Sequence, residues 1–104
     1  MNKFANRLGW SDVEPFEVVR VVSEKCLEIR GMDAELDPAW KPEWVVGGFA
    51  GSCVNQREQK WLIASNPGNP VRRIRQRKNG DWYSPCGSRF ALGDQPIKFY
   101  DYNF

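Results

Sequence analysis

The chain has 104 residues, of which 41% are hydrophobic and 13% aromatic, and its formal net charge at pH 7 is +2. This length predicts a single domain over residues 1–104, and five tryptophans argue against a disordered chain, which would be poor in aromatic residues. The sequence contains no histidine, which excludes Ser–His and Cys–His nucleophile pairs and removes the commonest zinc ligand.

Short elements are expected in the first half, because glycines and prolines interrupt the sequence at frequent intervals. Residues 11–14 allow a short helical turn, which the following proline ends. The β-branched residues 16–22 predict a strand, and the apolar–charged alternation of residues 26–30 predicts its hairpin partner. An acidic loop follows, in which residues 33–36 allow a second short helical turn.

The second half contains further short strand patterns, with a glycine-rich bend over residues 47–51. One strand begins at residues 44–46 and continues at residues 52–54 after the bend, and further strands are predicted at residues 60–64, 71–78 and 89–92. Five to six short strands without a convincing amphipathic helix predict an all-β fold. At this length, a small SH3-like or OB-like barrel is favoured over a two-sheet sandwich.

Charge is unevenly distributed along the sequence. Residues 1–45 carry six basic and nine acidic side chains, a net charge of −3, whereas residues 46–104 carry nine basic and four acidic side chains, a net charge of +5. Such a division gives either two opposed electrostatic faces or two halves that pair internally, and a mixed solvated surface is the simplest alternative.

The cysteines, glycines and carboxylates form no recognisable catalytic or metal-binding pattern. Cys26, Cys53 and Cys86 are far apart and have no CxxC spacing, and no P-loop is present. The sequence also shows neither a secretory leader nor an apolar run of transmembrane length. We therefore expect a reduced cytoplasmic protein that is not an enzyme, holds no metal or cofactor, and does not enter a membrane.

The most informative segment is the cationic strand and the hairpin turn that follows it. It carries Arg72, Arg73, Arg75, Arg77 and Lys78. With Asn79-Gly80 as a two-residue hairpin loop, Arg77 would face Trp82 and Gln76 would face Tyr83. Arg73, Arg75, Arg77 and Trp82 would then share the outer face, while Ile74 and Tyr83 would point toward the core.

This arrangement predicts a nucleic-acid surface, because guanidinium groups bind phosphates and an exposed indole stacks on a base. The predicted contact residues are Arg72, Arg73, Arg75, Arg77, Lys78 and Trp82, with help from Arg57 and Lys60. A three-residue loop with Gly80 in the left-handed conformation would instead pair Arg77 with Asp81 and move Trp82 to the face of Ile74. A solvated edge strand, whose arginine stems cover Trp82, is the structural alternative.

A second candidate surface lies in the acidic half. Trp40 and Trp44 flank residues 41–43 and form an alternative ledge for a protein or a proline-rich peptide. Packing of both indoles in the core or in a loop is the competing interpretation.

Several segments resemble a family of small uncharacterised proteins carried by phages, prophages and plasmids. They are residues 4–12 (FANRLGWSD), 15–19 (PFEVV), 59–67 (QKWLIASNP), 71–75 (VRRIR) and 97–104 (IKFYDYNF). The resemblance implies a mobile-element origin and assigns neither an activity nor site residues. Small proteins of such elements are often binders that inhibit or redirect host machinery.

Two functional hypotheses follow from the sequence. The first is a non-catalytic binding protein that contacts nucleic acid or a host nucleoprotein through the basic hairpin. The second is a protein-interaction module that inhibits a host complex, for example one of host defence, with arginine or tryptophan as its anchor. An exposed strand edge would allow a homodimer as well as a monomer.

Overall fold

The computed structural model describes residues 3–47, 50–53 and 56–100. The described residues form eleven strands and one 3-10 turn, and no α-helix. The elements in chain order are β1 (Phe4–Leu8), β2 (Val13–Glu14), β3 (Phe16–Ser23), β4 (Cys26–Gly31), β5 (Asp33–Leu36), β6 (Trp44–Gly47), β7 (Ala50–Cys53), the 3-10 turn (Gln56–Glu58), β8 (Trp61–Ala64), β9 (Val71–Gln76), β10 (Trp82–Tyr83) and β11 (Arg89–Gly93).

Six of these strands close into an antiparallel barrel. The order is β1-β3-β4-β9-β10-β11, and β11 pairs back with β1, so that the sheet has no free edge where these strands meet. The short strand β2 pairs with β1 outside this ring. The predicted small all-β barrel is therefore confirmed, as is the β3–β4 hairpin within it. The described part of the chain contains no helix that is long and apolar enough to span a membrane.

The barrel interior is filled by apolar residues that alternate with outward-facing ones along each strand. The core cluster consists of Ala5, Phe16, Leu27, Ile29, Ile74, Trp82 and Phe90. Phe16 and Phe90 pack edge to face, with ring centroids 5.3 Å apart. Because Ile74 points inward, its neighbours Arg73 and Arg75 on β9 project from the outer surface.

Residues 32–70, which we call the arm, leave the barrel between the neighbouring strands β4 and β9. In the arm, β5 pairs with β8 and β6 pairs with β7. The molecule is correspondingly elongated, with principal extents of 51 × 28 × 22 Å. The predicted glycine bend over residues 47–51 lies between β6 and β7, and its residues 48–49 fall outside the described part of the chain.

Both predicted helical turns are wrong. Residues 33–36 form β5, in which Ala34 lies opposite Ile63 and Leu36 lies opposite Trp61. These apolar cross-strand pairs stabilise an extended backbone that the local acidic sequence did not indicate. Near the N-terminus, residues 13–14 are likewise extended, because they pair with the end of β1.

A small polar cluster connects the barrel to the base of the arm. Glu17 on β3 accepts hydrogen bonds from Arg30 on β4 and from the Ser65 hydroxyl, which follows β8. The Ser65 Oγ–Glu17 Oε1 distance is 2.8 Å. Nearby, the Asn69 side chain donates to the Gly31 carbonyl at 2.8 Å. The carboxylate of Glu17 therefore connects β3, which carries it, to β4 and to the segment after β8.

The environment of Glu17 predicts a pH-dependent contribution to stability. Burial raises the pKa of Glu17, but the hydrogen bonds from Arg30 and Ser65 outweigh burial and hold the pKa below its ordinary value of 4.5. A lowered folded-state pKa contributes stability above the unfolded-state value, and this stability is lost as the pH falls through the folded-state value. We expect urea unfolding to show that Glu17→Gln is less stable than the wild type at pH 7. This difference in the free energy of unfolding should become smaller below about pH 4.5. A difference that does not depend on pH would contradict this role of Glu17.

Candidate nucleic-acid interface

The β9–β10 hairpin adopts the three-residue loop. The Arg77 N–H donates to the Asp81 carbonyl at 2.9 Å, and the Gly80 N–H donates to the Arg77 carbonyl at 2.9 Å. Gly80 has φ = +88°, the left-handed conformation that glycine adopts without a steric penalty. The Asn79 side chain accepts from the Asp81 N–H at 3.0 Å and fixes the turn.

The two-residue register is therefore wrong, and so is the exposed position of Trp82 that depended on it. Gln76 lies opposite Trp82, and Arg75 lies opposite Tyr83. Trp82 is only 9% exposed and packs in the core on the same side as Ile74. The indole is not available for stacking on a base, and Tyr83 takes its place on the outer surface.

Tyr83 lies in the middle of a row of arginines that crosses three strands. It is the cross-strand neighbour of Arg75 on β9 and of Arg89 on β11. The Arg77 guanidinium lies over the Tyr83 ring, 4.0 Å from the ring centroid, in cation–π geometry. We call the surface formed by Arg73, Arg75, Arg77, Tyr83 and Arg89 the Tyr83 face.

An open groove of about 520 Å³ follows this surface. Its lining includes Arg73, Arg75 and Arg77 together with Tyr83 and Pro85. The groove thus combines cationic side chains with an aromatic ring and an apolar residue, which suits a ligand that has both an anionic and a planar part.

The positive charge of the face is only partly neutralised. Glu28 on β4 lies 3.2 Å from Arg73 and 3.4 Å from Arg20, so a single carboxylate serves two guanidinium groups. Among the described residues, no carboxylate lies within 4.0 Å of Arg75, Arg77 or Arg89. These charges are solvated and remain available to an anion.

The other predicted cations do not all join this face. Lys78 is exposed in the hairpin loop next to Arg77. Arg72 lies opposite the core residue Ile29, so it projects from the other side of β9. Arg57 and Lys60 belong to the arm and do not line the groove.

The alternative ledge is not formed as predicted. Trp40 is only 7% exposed, and its backbone N–H donates to the Asp37 carbonyl at 2.9 Å within a turn. A docking ledge needs an accessible ring, which Trp40 does not offer. Trp44 begins β6, and its side chain lies outside the described part of the structure.

The sequence interpretation missed Tyr83 and Arg89 as members of the site. Arg89 precedes the core residue Phe90 in an alternating strand, and this alternation is the signal that places it outside. Tyr83 could have been found only by deciding the hairpin register. A shift of the register by one residue would exchange the faces on which Tyr83 and Trp82 lie.

Cys86 lies beside the groove, in the loop between β10 and β11. Its sulfur is 3.1 Å from the Ser84 hydroxyl and 3.7 Å from the Ser88 hydroxyl. Hydrogen bonds to the thiolate, foremost from Ser84 and then from Ser88, lower the pKa of Cys86 to about 7. Cys26, in contrast, is buried.

These environments predict selective alkylation of Cys86. In a Cys53→Ser background, the rate of reaction with iodoacetamide should rise with pH through a midpoint near 7, because the thiolate is the nucleophile. Ser84→Ala should move the midpoint upward, and Cys26 should react only after unfolding. A Cys86 midpoint of about 8.5, the value of a free thiol, would contradict the assigned hydrogen bonds.

Among the described residues, no group of three Cys, Asp or Glu side chains is placed to hold a metal ion. The Tyr83 face presents guanidinium groups and an aromatic ring. Comparison of the chain with protein-family models, with curated proteins and with solved structures found no match.

Proposed function

We propose that the protein is a non-catalytic binding protein that contacts nucleic acid, alone or within a nucleoprotein, through the Tyr83 face. The observation that carries this proposal is the row Arg75–Tyr83–Arg89 across three adjacent strands, with Arg77 stacked on the tyrosine ring. Guanidinium groups form bidentate contacts with phosphates, and an aromatic ring offers a platform for a base.

The geometry of β9 supports this assignment. Alternate residues of a strand are about 7 Å apart, so Arg73, Arg75 and Arg77 form a ladder whose spacing resembles that of successive phosphates along one polynucleotide strand. Stacking on Tyr83 also restricts the Arg77 guanidinium group before a ligand binds. Arg77 therefore loses less side-chain entropy on binding. The strands that carry these side chains belong to the closed barrel.

Glu28 limits the charge of the face, which leads to a gain-of-binding prediction. Glu28→Gln should release Arg73 and Arg20 from their shared carboxylate and add one positive charge to the outer surface. We expect tighter binding of nucleic acid at low salt and a steeper dependence on salt concentration. Fluorescence anisotropy would measure both, and weaker binding by this variant would show that Glu28 itself contacts the ligand.

The test of the proposal is a titration of labelled single- and double-stranded DNA and RNA with the wild-type protein at several salt concentrations. Binding should weaken steeply as salt rises, because phosphate contacts release counterions. Binding that is equal at low and high salt would contradict the proposal. So would the absence of binding at low salt, and that result would favour the second hypothesis, a protein partner captured by the same arginines.

A further inference from the structure

Strand β9 is longer than its neighbour β10, which has only two residues and ends at Tyr83. Tyr83 lies opposite Arg75, and the same register would bring Pro85 opposite Arg73. Proline has no N–H, so Pro85 cannot extend the ladder of hydrogen bonds. Among the described residues, no strand pairs with residues 71–73 on this side, whereas all three pair with β4 on the other. We call this open side of residues 71–73 the β9 edge.

Two hydrogen bonds show which backbone groups of β9 point toward this edge. The Gln76 N–H donates toward β4, to the turn that precedes that strand, at 3.0 Å, whereas the Arg77 N–H donates across the β9–β10 hairpin at 2.9 Å. The backbone groups of successive strand residues point to opposite sides, so Arg73 and Val71 have the orientation of Arg77. Their N–H and C=O groups therefore point away from β4, and within the described part of the chain none of these groups has a hydrogen-bond partner.

The side chains along the β9 edge are exposed and mostly cationic. Val71 is 50% exposed and shares the outer face with Arg73, whereas Arg72 projects from the other face of the strand. Arg73 shares the Glu28 carboxylate with a second arginine. No carboxylate of a described residue lies within 4.0 Å of Arg72. The β9 edge thus combines unpaired backbone groups with two cations whose charge is not fully compensated.

We infer that the β9 edge binds an extended, acidic segment of a partner protein, which adds to the sheet as a strand. Main-chain hydrogen bonds to Val71 and Arg73 hold such a segment, and its side chains supply the specificity. In the antiparallel orientation, an acidic residue of the segment lies beside Arg73, the next acidic residue lies beside Arg72 on the other face, and an apolar residue lies beside Val71. This inference does not depend on nucleic-acid binding by the Tyr83 face.

The chemistry of the β9 edge favours a peptide over two other occupants. A phosphate group accepts hydrogen bonds but has no donor for the carbonyl oxygens of Val71 and Arg73, whereas a peptide backbone supplies both donors and acceptors. The same edge of a second copy of this chain is also a poor partner. Antiparallel pairing of two β9 edges would bring Arg72 and Arg73 of one copy against those of the other, and like charges opposite each other destabilise a sheet.

The experiment titrates the full-length protein into a labelled peptide that has the sequence Glu-Asp-Val between threonine flanks. The peptide with Gln-Asn-Val should bind more weakly because it lacks the carboxylates. Arg73→Pro should bind the acidic peptide about tenfold more weakly than Arg73→Ala, because the proline also removes the backbone donor and obstructs the added strand. The Arg73 N–H does not face β4, so Arg73→Pro should still fold. Equal affinities of these two variants would overturn the inference.

Amide hydrogen exchange provides a second readout that needs no variant. In the free protein the amides of Val71 and Arg73 should exchange much faster than those of Arg72 and Ile74, which face β4. A saturating amount of the acidic peptide should slow exchange at Val71 and Arg73 by about tenfold or more. The inference would be overturned by a lack of this protection, or by protection that single-stranded nucleic acid gives and the peptide does not. Nucleic-acid binding without peptide binding would leave the proposed function intact.

Discussion

Replacing Trp82 with alanine is expected to lower the free energy of unfolding by about 3–5 kcal/mol, the range for removing a large aromatic side chain from a packed core. Trp82 is 9% exposed and belongs to the cluster that fills the barrel with Ile74 and Phe90. Because domains of this size are stable by only about 5–15 kcal/mol, the variant should melt many degrees below the wild type or fail to fold at room temperature.

The matched control is the neighbouring residue. Tyr83→Ala removes a ring of similar size from the outer surface, and we expect it to cost less than half as much stability. Urea unfolding followed by far-UV circular dichroism measures both variants. With a two-residue hairpin loop the two effects would be exchanged, so a larger loss in Tyr83→Ala than in Trp82→Ala would contradict the register described above.

Removing two arginines from the Tyr83 face is expected to change the salt dependence of nucleic-acid binding. Each phosphate contact contributes roughly 0.7–0.9 to the slope of log K against log salt. Arg75→Ala/Arg77→Ala should therefore flatten the slope by about 1.5 and weaken binding at low salt. Neither side chain has a carboxylate partner among the described residues, so the loss should not reflect a broken ion pair.

The control variant Arg57→Ala/Lys60→Ala loses the same amount of charge from the arm. If only the overall charge of the protein attracted the nucleic acid, the two double variants would behave alike. Equal slopes would therefore contradict a localised interface. Thermal melting of both variants should show a shift of only a few degrees, because all four side chains are exposed.

The barrel itself could be predicted because its elements have strong local signals. The β-branched run in β3, the alternation in β4 and the arginine–isoleucine pattern in β9 each indicate a strand on their own. Many short strands with frequent turns at this chain length leave few architectures other than a small barrel. The basic outer face followed from alternation around Ile74, which is why Arg73, Arg75 and Arg77 were correctly grouped.

The site was harder to predict because it depends on the exact register between neighbouring strands. Asn79-Gly80 is compatible with two loop lengths, and the choice between them decides whether Trp82 or Tyr83 faces solvent. Arg89 joins the face only through the pairing of β11 with β10. No local propensity carries that information.

Closure of the barrel also has a kinetic consequence. The ring is completed when β1 pairs with β11, with Phe4 opposite Gly93, so the first and last described strands of the chain must meet. The chain loses much conformational entropy in forming such nonlocal contacts before the contacts stabilise the fold. Folding on the millisecond-to-second scale is therefore typical of barrels of this kind. During synthesis β1 is made long before its partner, and until β11 emerges from the ribosome the growing sheet keeps two unsatisfied edges. The nascent chain is therefore most prone to misassociation just before β11 emerges.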